Sequence, residues 1–196
     1  MADKLDGKTV AFVATDGVEQ IELTEPWKAV ENEGGQPELL SIEAGEIQGF
    51  EHLDKADTFN AEKAVKDANP DDYDGVVVPG GVANSDFLRG DEDTVRFVRS
   101  FFEAGKPVGI ICHGPWVAVE ADVVRDRKLT SYPTLKTDIR NAGGNWVDEE
   151  VVVDAGFVTS RNPDDLPAFC AKVVEEICEG RHEEQALQSA GAGNAD

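Results

Sequence analysis

The sequence predicts an α/β domain: a mainly parallel sheet with helices packed on both faces. Three observations predict it. Short apolar runs rich in β-formers recur along the chain, at residues 9–14 (TVAFVA), 38–42 (ELLSI), 75–81 (GVVVPGG) and 107–111 (PVGII). Segments with helical spacing, several closed by glycine, alternate with them. Such alternation is the pattern of a parallel sheet whose crossovers are helices.

Taken in order, residues 9–14 read as a buried strand, and Pro26 to Gly34 as the body of a helix stopped by Gly34-Gly35. ELLSI is the second strand. Residues 43–66 are weakly patterned and fit a hairpin or an irregular excursion. GVVVPGG is a strand running into a sharp turn. A helix starts at Asp91, with Val95, Phe97, Val98, Phe101 and Phe102 as its apolar positions and Gly105 as its stop. PVGII runs directly into Cys112-His113-Gly114-Pro115, and the apolar helix WVAVEADVV follows. Residues 134–142 read as a helix stopped by Gly143-Gly144, and residues 151–160 as a hairpin around Asp154-Ala155-Gly156. A last helix runs from about Asp164 to Glu179. No repeat, linker or second domain is visible, so residues 1–180 are expected to form one domain. The small, polar residues 181–196 are expected to be a disordered tail.

Composition narrows the function classes. Forty Asp and Glu oppose 18 Lys and Arg, for a net charge of −22. The acids are dispersed in small clusters, as on a surface selected for negative charge throughout. Such a surface repels itself in dilute buffer. At molar salt the Debye length falls to ~3 Å and the repulsion is screened, so a high-salt cytosol is the expected setting. Nucleic acid and anionic membranes are poor partners, because binding them needs basic patches. The N-terminus, MADKLDGKTV, lacks a basic stretch followed by an apolar one, so no secretory signal is expected. No apolar run approaches the ~18 residues of a membrane span. Three cysteines, an odd and sparse set, argue against a disulfide scaffold and leave room for a working thiol.

In an open α/β sheet, ligands bind outside the carboxyl ends of the strands. Three runs end there in unusual chemistry: Thr15-Asp16-Gly17-Val18-Glu19, Pro79-Gly80-Gly81 and Cys112-His113-Gly114-Pro115. If the strands are parallel, the three turns converge. Cys112 would sit on a nucleophile elbow, with the following helix N-terminus lowering its pKa. Gly80-Gly81 would offer backbone amides as an oxyanion hole. Glu19 and Glu22 lie near the first strand end, but acids are the default in this chain and composition gives them little weight. A carboxylate normally raises a neighbouring thiol's pKa, so Glu19 helps only if it is protonated and donates to sulfur. His113 reaches the sulfur of its own neighbour only across a strained turn. A metal reading of Cys170, Cys178 and His182 fails, since eight helical residues separate the cysteines by ~12 Å. They read as core-facing thiols and a frayed-end histidine. No metal and no cofactor is expected, and neither a P-loop nor a dinucleotide fingerprint is present.

With these residues in view, the chain resembles the PfpI/ThiJ superfamily, most nearly its PfpI intracellular protease branch, related to the class I glutamine amidotransferase fold. The likeness spans residue 8 to about 179. It rests on TDGVEQIEL, VVVPGG, FLRGD, GKPVGIICHGP, RDRKLTSYP and VVVDAGFVTSRNPDDLPAF. The resemblance implies a flavodoxin-like three-layer sandwich with Cys112 as nucleophile and His113 as catalytic histidine. It also implies Glu19 as the glutamate bonded to the thiol, and the amides of Gly81 and His113 as oxyanion hole. Asp86 best matches the acid that orients the histidine, often from a neighbouring subunit, although Val82-Ala83-Asn84-Ser85 before it carries one residue more than the pattern. Tyr132 matches a pocket tyrosine, and Trp116 stands where many members have glutamine. Dimers or hexamers are implied. Family members have been described as peptidases, glyoxalases, deglycases and redox-responsive chaperones. The expected function is therefore a cytoplasmic cysteine enzyme acting on small aldehydes, dicarbonyls or glycated adducts. The alternatives are an intracellular cysteine peptidase and a redox sensor or chaperone with an oxidisable Cys112.

Overall fold

The computed structural model describes residues 4–192, the side chains of residues 187 and 189–192 excepted. In chain order the elements are β1 (Thr9–Val13), β2 (Val18–Glu19), α1 (Gln20–Asn32), β3 (Gln36–Ser41), β4 (Gly45–Glu51), β5 (Asp54–Ala61), β6 (Lys63–Ala64) and β7 (Gly75–Val78). Then come α2 (Val82–Gly90), α3 (Glu92–Glu103), β8 (Val108–Ile111), α4 (Pro115–Glu120), β9 (Lys128–Leu129), α5 (Lys136–Asn141) and β10 (Asn145–Trp146). The chain closes with β11 (Val151–Asp154), β12 (Phe157–Ser160), α6 (Leu166–Glu179) and α7 (Glu183–Ala192).

The main sheet has the order β11-β12-β8-β7-β1-β3-β6. Every pairing in it is parallel except that of the edge strand β11 with β12. All four residues of β7 and of β8 are buried. This is why those strands read as unbroken apolar runs: a parallel strand covered on both faces has no polar side to show. Two cores flank the sheet. On one face Val10, Phe12 and Val77 pack against Leu23 and Val30 of α1 and Phe169 and Val173 of α6. On the other, Ala11, Val76 and Ile110 meet Phe97, Val98 and Phe101 of α3 and Val117 of α4. Together these layers form the predicted three-layer α/β sandwich.

Weakly patterned residues 43–66 form the β4–β5 hairpin, and β2 adds to it beside Gly49 and Phe50. Gly17 N–H donates to Gln48 O (2.9 Å), which ties this small sheet to the carboxyl end of β1. Because β8, β7 and β1 are adjacent, the three turns singled out in the sequence adjoin one another.

Several expectations need correction. Helix α1 begins at Gln20, ahead of Pro26. Helix α4 stops at Glu120 and does not run on to Val124. Helix α2 matches no helical pattern in the sequence: its buried face carries Asn84 and Ser85 beside Leu88, so no apolar period marks it. Residues 181–192 are not a disordered tail. His182 N–H donates to Gly105 O (2.7 Å), and α7 docks through the buried Gln185, whose Nε2 donates to Lys106 O (2.6 Å). Polar anchors of this kind leave no hydrophobic signature. Residues 193–196 lie outside the described residues. Among those described, no helix is long and apolar enough to cross a membrane.

Candidate active site at the carboxyl edge of the sheet

Cys112 follows β8 directly and has φ of 63°, the left-handed region that a side-chain-bearing residue enters at a cost of roughly 1–2 kcal/mol. Backbone bonds on both sides hold it there. Cys112 N–H donates to Ser160 O (3.0 Å), and Tyr132 N–H donates to Cys112 O (2.7 Å). Gly114 lets the turn close, since a Cβ there would lie 2.6 Å from Ile110 Cγ2. Pro115 then opens α4. The result is a sharp strand-to-helix turn with the geometry of a nucleophile elbow. Cys112 is only 7% exposed.

This turn also solves the problem of His113. Adjacent side chains normally diverge, yet here Cys112 Sγ lies 3.2 Å from His113 Nδ1. The imidazole stacks on Tyr132, centroids 4.5 Å apart, and meets Trp116 edge-on at 5.5 Å. Burial lowers its pKa, so it is neutral at pH 7 and able to take a proton. Among the described residues no carboxylate hydrogen-bonds His113.

The carboxyl that faces the thiol belongs to Glu22, not Glu19. Glu22 is fully buried, and its carboxyl interacts with the Cys112 side chain. Its Oε2 accepts Gly80 N–H (2.8 Å), and its Oε1 is buried with no hydrogen-bond partner. Burial pushes its pKa up from 4.5 to about 8, and the nearby charge of Glu19 adds to the push. Glu19 sits in the short strand β2 and turns outward, where its Oε2 accepts His52 N–H (3.0 Å). A signal for Glu22 existed in the sequence. It shares one helical face with Pro26 and Val30, four and eight residues on, and a carboxylate in a core stripe is out of place there.

Burial pushes the Cys112 thiol up, and an ionised Glu22 beside it pushes the same way. The backbone N–H groups of Gly81 and His113 hydrogen-bond the sulfur and pull it down. This reverses the expected lowering by the helix N-terminus, because α4 spans only six residues and the sulfur is buried. The thiol therefore needs a base to become a nucleophile, and His113 stands at the right distance.

Gly80 and Gly81 admit no side chain. A Cβ at Gly80 would lie 2.3 Å from Glu22 Oε2 and 2.6 Å from Cys112 Cβ. At Gly81, with φ of 93°, it would lie 2.2 Å from Gly17 O. Sequence reasoning missed Asn84, which fixes this turn from beneath. Its Nδ2 donates to Pro79 O (3.1 Å) and Gly80 O (3.0 Å), and its Oδ1 accepts Thr15 N–H (2.8 Å). One buried amide thus locks the ends of β1 and β7 together.

Trp116 and Tyr132 flank His113 as described. Trp116 Nε1 donates to Asp138 Oδ2 (2.8 Å), and the Arg89 guanidinium lies 4.6 Å above its ring. Asp86 is not brought to His113 within this chain. It lies exposed on α2 and pairs with Arg89 (2.9 Å).

The chain matches the DJ-1/PfpI family model over residues 8–176. It belongs to the DJ-1/PfpI family. Among its relatives, deglycase TK1284 of Thermococcus kodakarensis is 39% identical over 166 residues, 85% of this chain and 97% of the relative. Protein/nucleic acid deglycase 2 of Escherichia coli is 40% identical, over 83% of this chain and 93% of its own. YraA of Bacillus subtilis, whose name assigns it provisionally to the cysteine proteases, is also 40% identical, over 83% and 94%. The DJ-1/ThiJ/PfpI-like and ferritin-like two-domain protein of Anabaena variabilis superposes with a TM-score of 0.83 at 29% identity. That match covers 96% of this chain and 56% of the two-domain protein. Schizosaccharomyces pombe DJ-1, at 19% identity and a TM-score of 0.77, shares the fold.

Proposed function

We propose that this DJ-1/PfpI protein is a cysteine enzyme acting on reactive dicarbonyls or their early adducts. One observation carries the reading: a buried thiol on a strained turn, set between a neutral imidazole and a carboxyl that keeps its proton near neutrality. As the sulfur approaches an aldehyde carbon, its proton passes to His113 Nδ1. The S–C bond forms, the carbonyl π pair moves to oxygen, and that oxygen takes the proton back from the His113 imidazolium to complete a hemithioacetal. Glu22 that keeps its proton can donate to the sulfur beside it as the thiolate develops, where an ionised carboxylate would oppose that charge. As the S–C bond forms and the sulfur loses its negative charge, the amides of Gly81 and His113 pass from the sulfur to the oxygen on which charge grows. The deglycase relatives support this substrate class.

The peptidase alternative uses the same residues to form an acyl-enzyme, and the YraA relative favours it. A thiol only 7% exposed suits a small aldehyde better than an extended peptide. Asp86, exposed on α2, would orient the histidine of a neighbouring copy in a dimer or hexamer. The net charge of −22 supports adaptation to a high-salt cytosol.

The test is one assay series in molar KCl with wild type, Cys112→Ala and Asp86→Ala, following methylglyoxal loss and peptide-amide hydrolysis on the same preparations. Loss of methylglyoxal turnover in Cys112→Ala is expected. Full turnover in that variant ends the dicarbonyl reading, and peptide hydrolysis that alone depends on Cys112 replaces it with the peptidase.

A further inference from the structure

We infer that Glu176, Glu179 and His182 form a binding site for one divalent first-row transition ion, which ties helix α7 to the body of the fold. One ligand atom from each of the three side chains lies within 4.8 Å of the other two. The site is remote from Cys112. His182 packs against Gly105 and Gly156, which precede β8 and β12 and so lie at the amino edge of the sheet.

Local structure builds the cluster. Glu176 and Glu179 are three residues apart in the last turn of α6 and share a face. Gly180, with φ of 90°, ends the helix and turns the chain back across that turn. His182 is then pinned. Its N–H donates to Gly105 O (2.7 Å), and its O accepts Gln185 N–H (3.1 Å). Its ring lies so close over Gly156 that a Cβ there would come within 2.5 Å of Cδ2. It is not the frayed-end histidine expected from the sequence, and Cys178, expected in the core, is exposed. The ligand set therefore differs from the cysteine set that spacing ruled out.

Two further observations point to a cation. Glu176 is 6% exposed, so its carboxylate is held largely out of water. His182 Nε2 is buried without a hydrogen-bond partner, although Glu176 Oε2 is 3.2 Å away. That oxygen lies off the line an N–H bond would require. A shared proton needs the in-line arrangement, whereas a metal ion accepts ligands from separate directions. A buried imidazole nitrogen with no hydrogen-bond partner, beside a carboxylate largely withdrawn from water, is costly unless a positive charge joins them. Imidazole with carboxylates is a donor set for zinc, cobalt or nickel, and the nitrogen disfavours magnesium and calcium. The exposed Glu179 side chain swings inward to complete the set, and water fills the remaining positions.

The test is zinc titration of the full chain against a chromophoric chelator of known affinity, in molar KCl with millimolar magnesium to mask the general acidity of the surface. The variants are His182→Ala, Glu179→Gln and Cys112→Ser. Wild type and Cys112→Ser should bind one equivalent, with affinity at least tenfold weaker in both site variants. Zinc should also slow amide exchange in α7 at least tenfold in wild type and not in Glu179→Gln, whose exposed position leaves folding intact. Equal affinity in wild type and Glu179→Gln overturns the site. So does loss of the bound equivalent in Cys112→Ser, which would move the zinc to the thiol.

Discussion

Replacing Glu22 by glutamine removes one ionisable proton from the centre of the candidate active site and leaves its shape nearly unchanged. The amide oxygen can still accept Gly80 N–H, and the amide nitrogen can still donate to sulfur. What changes is the coupling of folding to pH. The carboxyl is raised from 4.5 to about 8, chiefly by burial. Below pH 4.5 folded and unfolded chains both hold this proton. Between 4.5 and about 8 the folded chain keeps a proton that the unfolded chain has released, so stability falls by about 1.36 kcal/mol for each pH unit. Over the whole window the loss is on the order of 5 kcal/mol, and above it the loss is complete. The thiol would complicate the count, so the comparison belongs in a Cys112→Ala background. Denaturant unfolding of Cys112→Ala and of Cys112→Ala/Glu22→Gln would be measured at pH 5.5, 6.5 and 7.5 in constant molar KCl. The other carboxylates cancel in the difference. The single variant should lose about 2.7 kcal/mol relative to the double variant between the first and last pH. Parallel curves would mean that Glu22 ionises like a surface acid. It would then be a carboxylate at neutral pH, and its role as a hydrogen-bond donor to sulfur would be untenable.

Three more outcomes are expected. Gly80→Ala drives a Cβ into Glu22 Oε2 and Cys112 Cβ, so it should cost about 1–3 kcal/mol in denaturant unfolding and abolish turnover; near-wild-type values for both would place the turn elsewhere. Gln185→Ala strips the buried Lys106 carbonyl of its donor and should cost about 1–3 kcal/mol, while a neutral result would mean that α7 does not dock. Raising KCl from 0.1 to 1 M shortens the Debye length from about 10 to about 3 Å, so the thermal midpoint of this −22 chain should rise by several degrees; an unchanged midpoint removes the case for salt adaptation.

What the sequence made legible follows from the kind of force involved. Strands β7 and β8 and helix α3 are held by apolar burial, and apolar burial leaves a period or a run. The convergence of three strand-end turns followed from parallel pairing alone. Helices α2 and α7 escaped because polar side chains anchor them: Asn84 locks two strand ends, and Gln185 bonds a buried carbonyl. The same blindness displaced the glutamate. In a chain with forty acids, the identity of one carboxylate carries almost no information, whereas its position on a helical face carries a great deal. Glu22 lies in the stripe of Pro26 and Val30, and Glu19 sits outside the helix it precedes. Burial in that stripe is what keeps the proton on Glu22, and the proton is what turns an acid beside a thiol from an obstacle into a donor. The functional distinction between two glutamates three residues apart thus comes down to which one the helix turns toward the core.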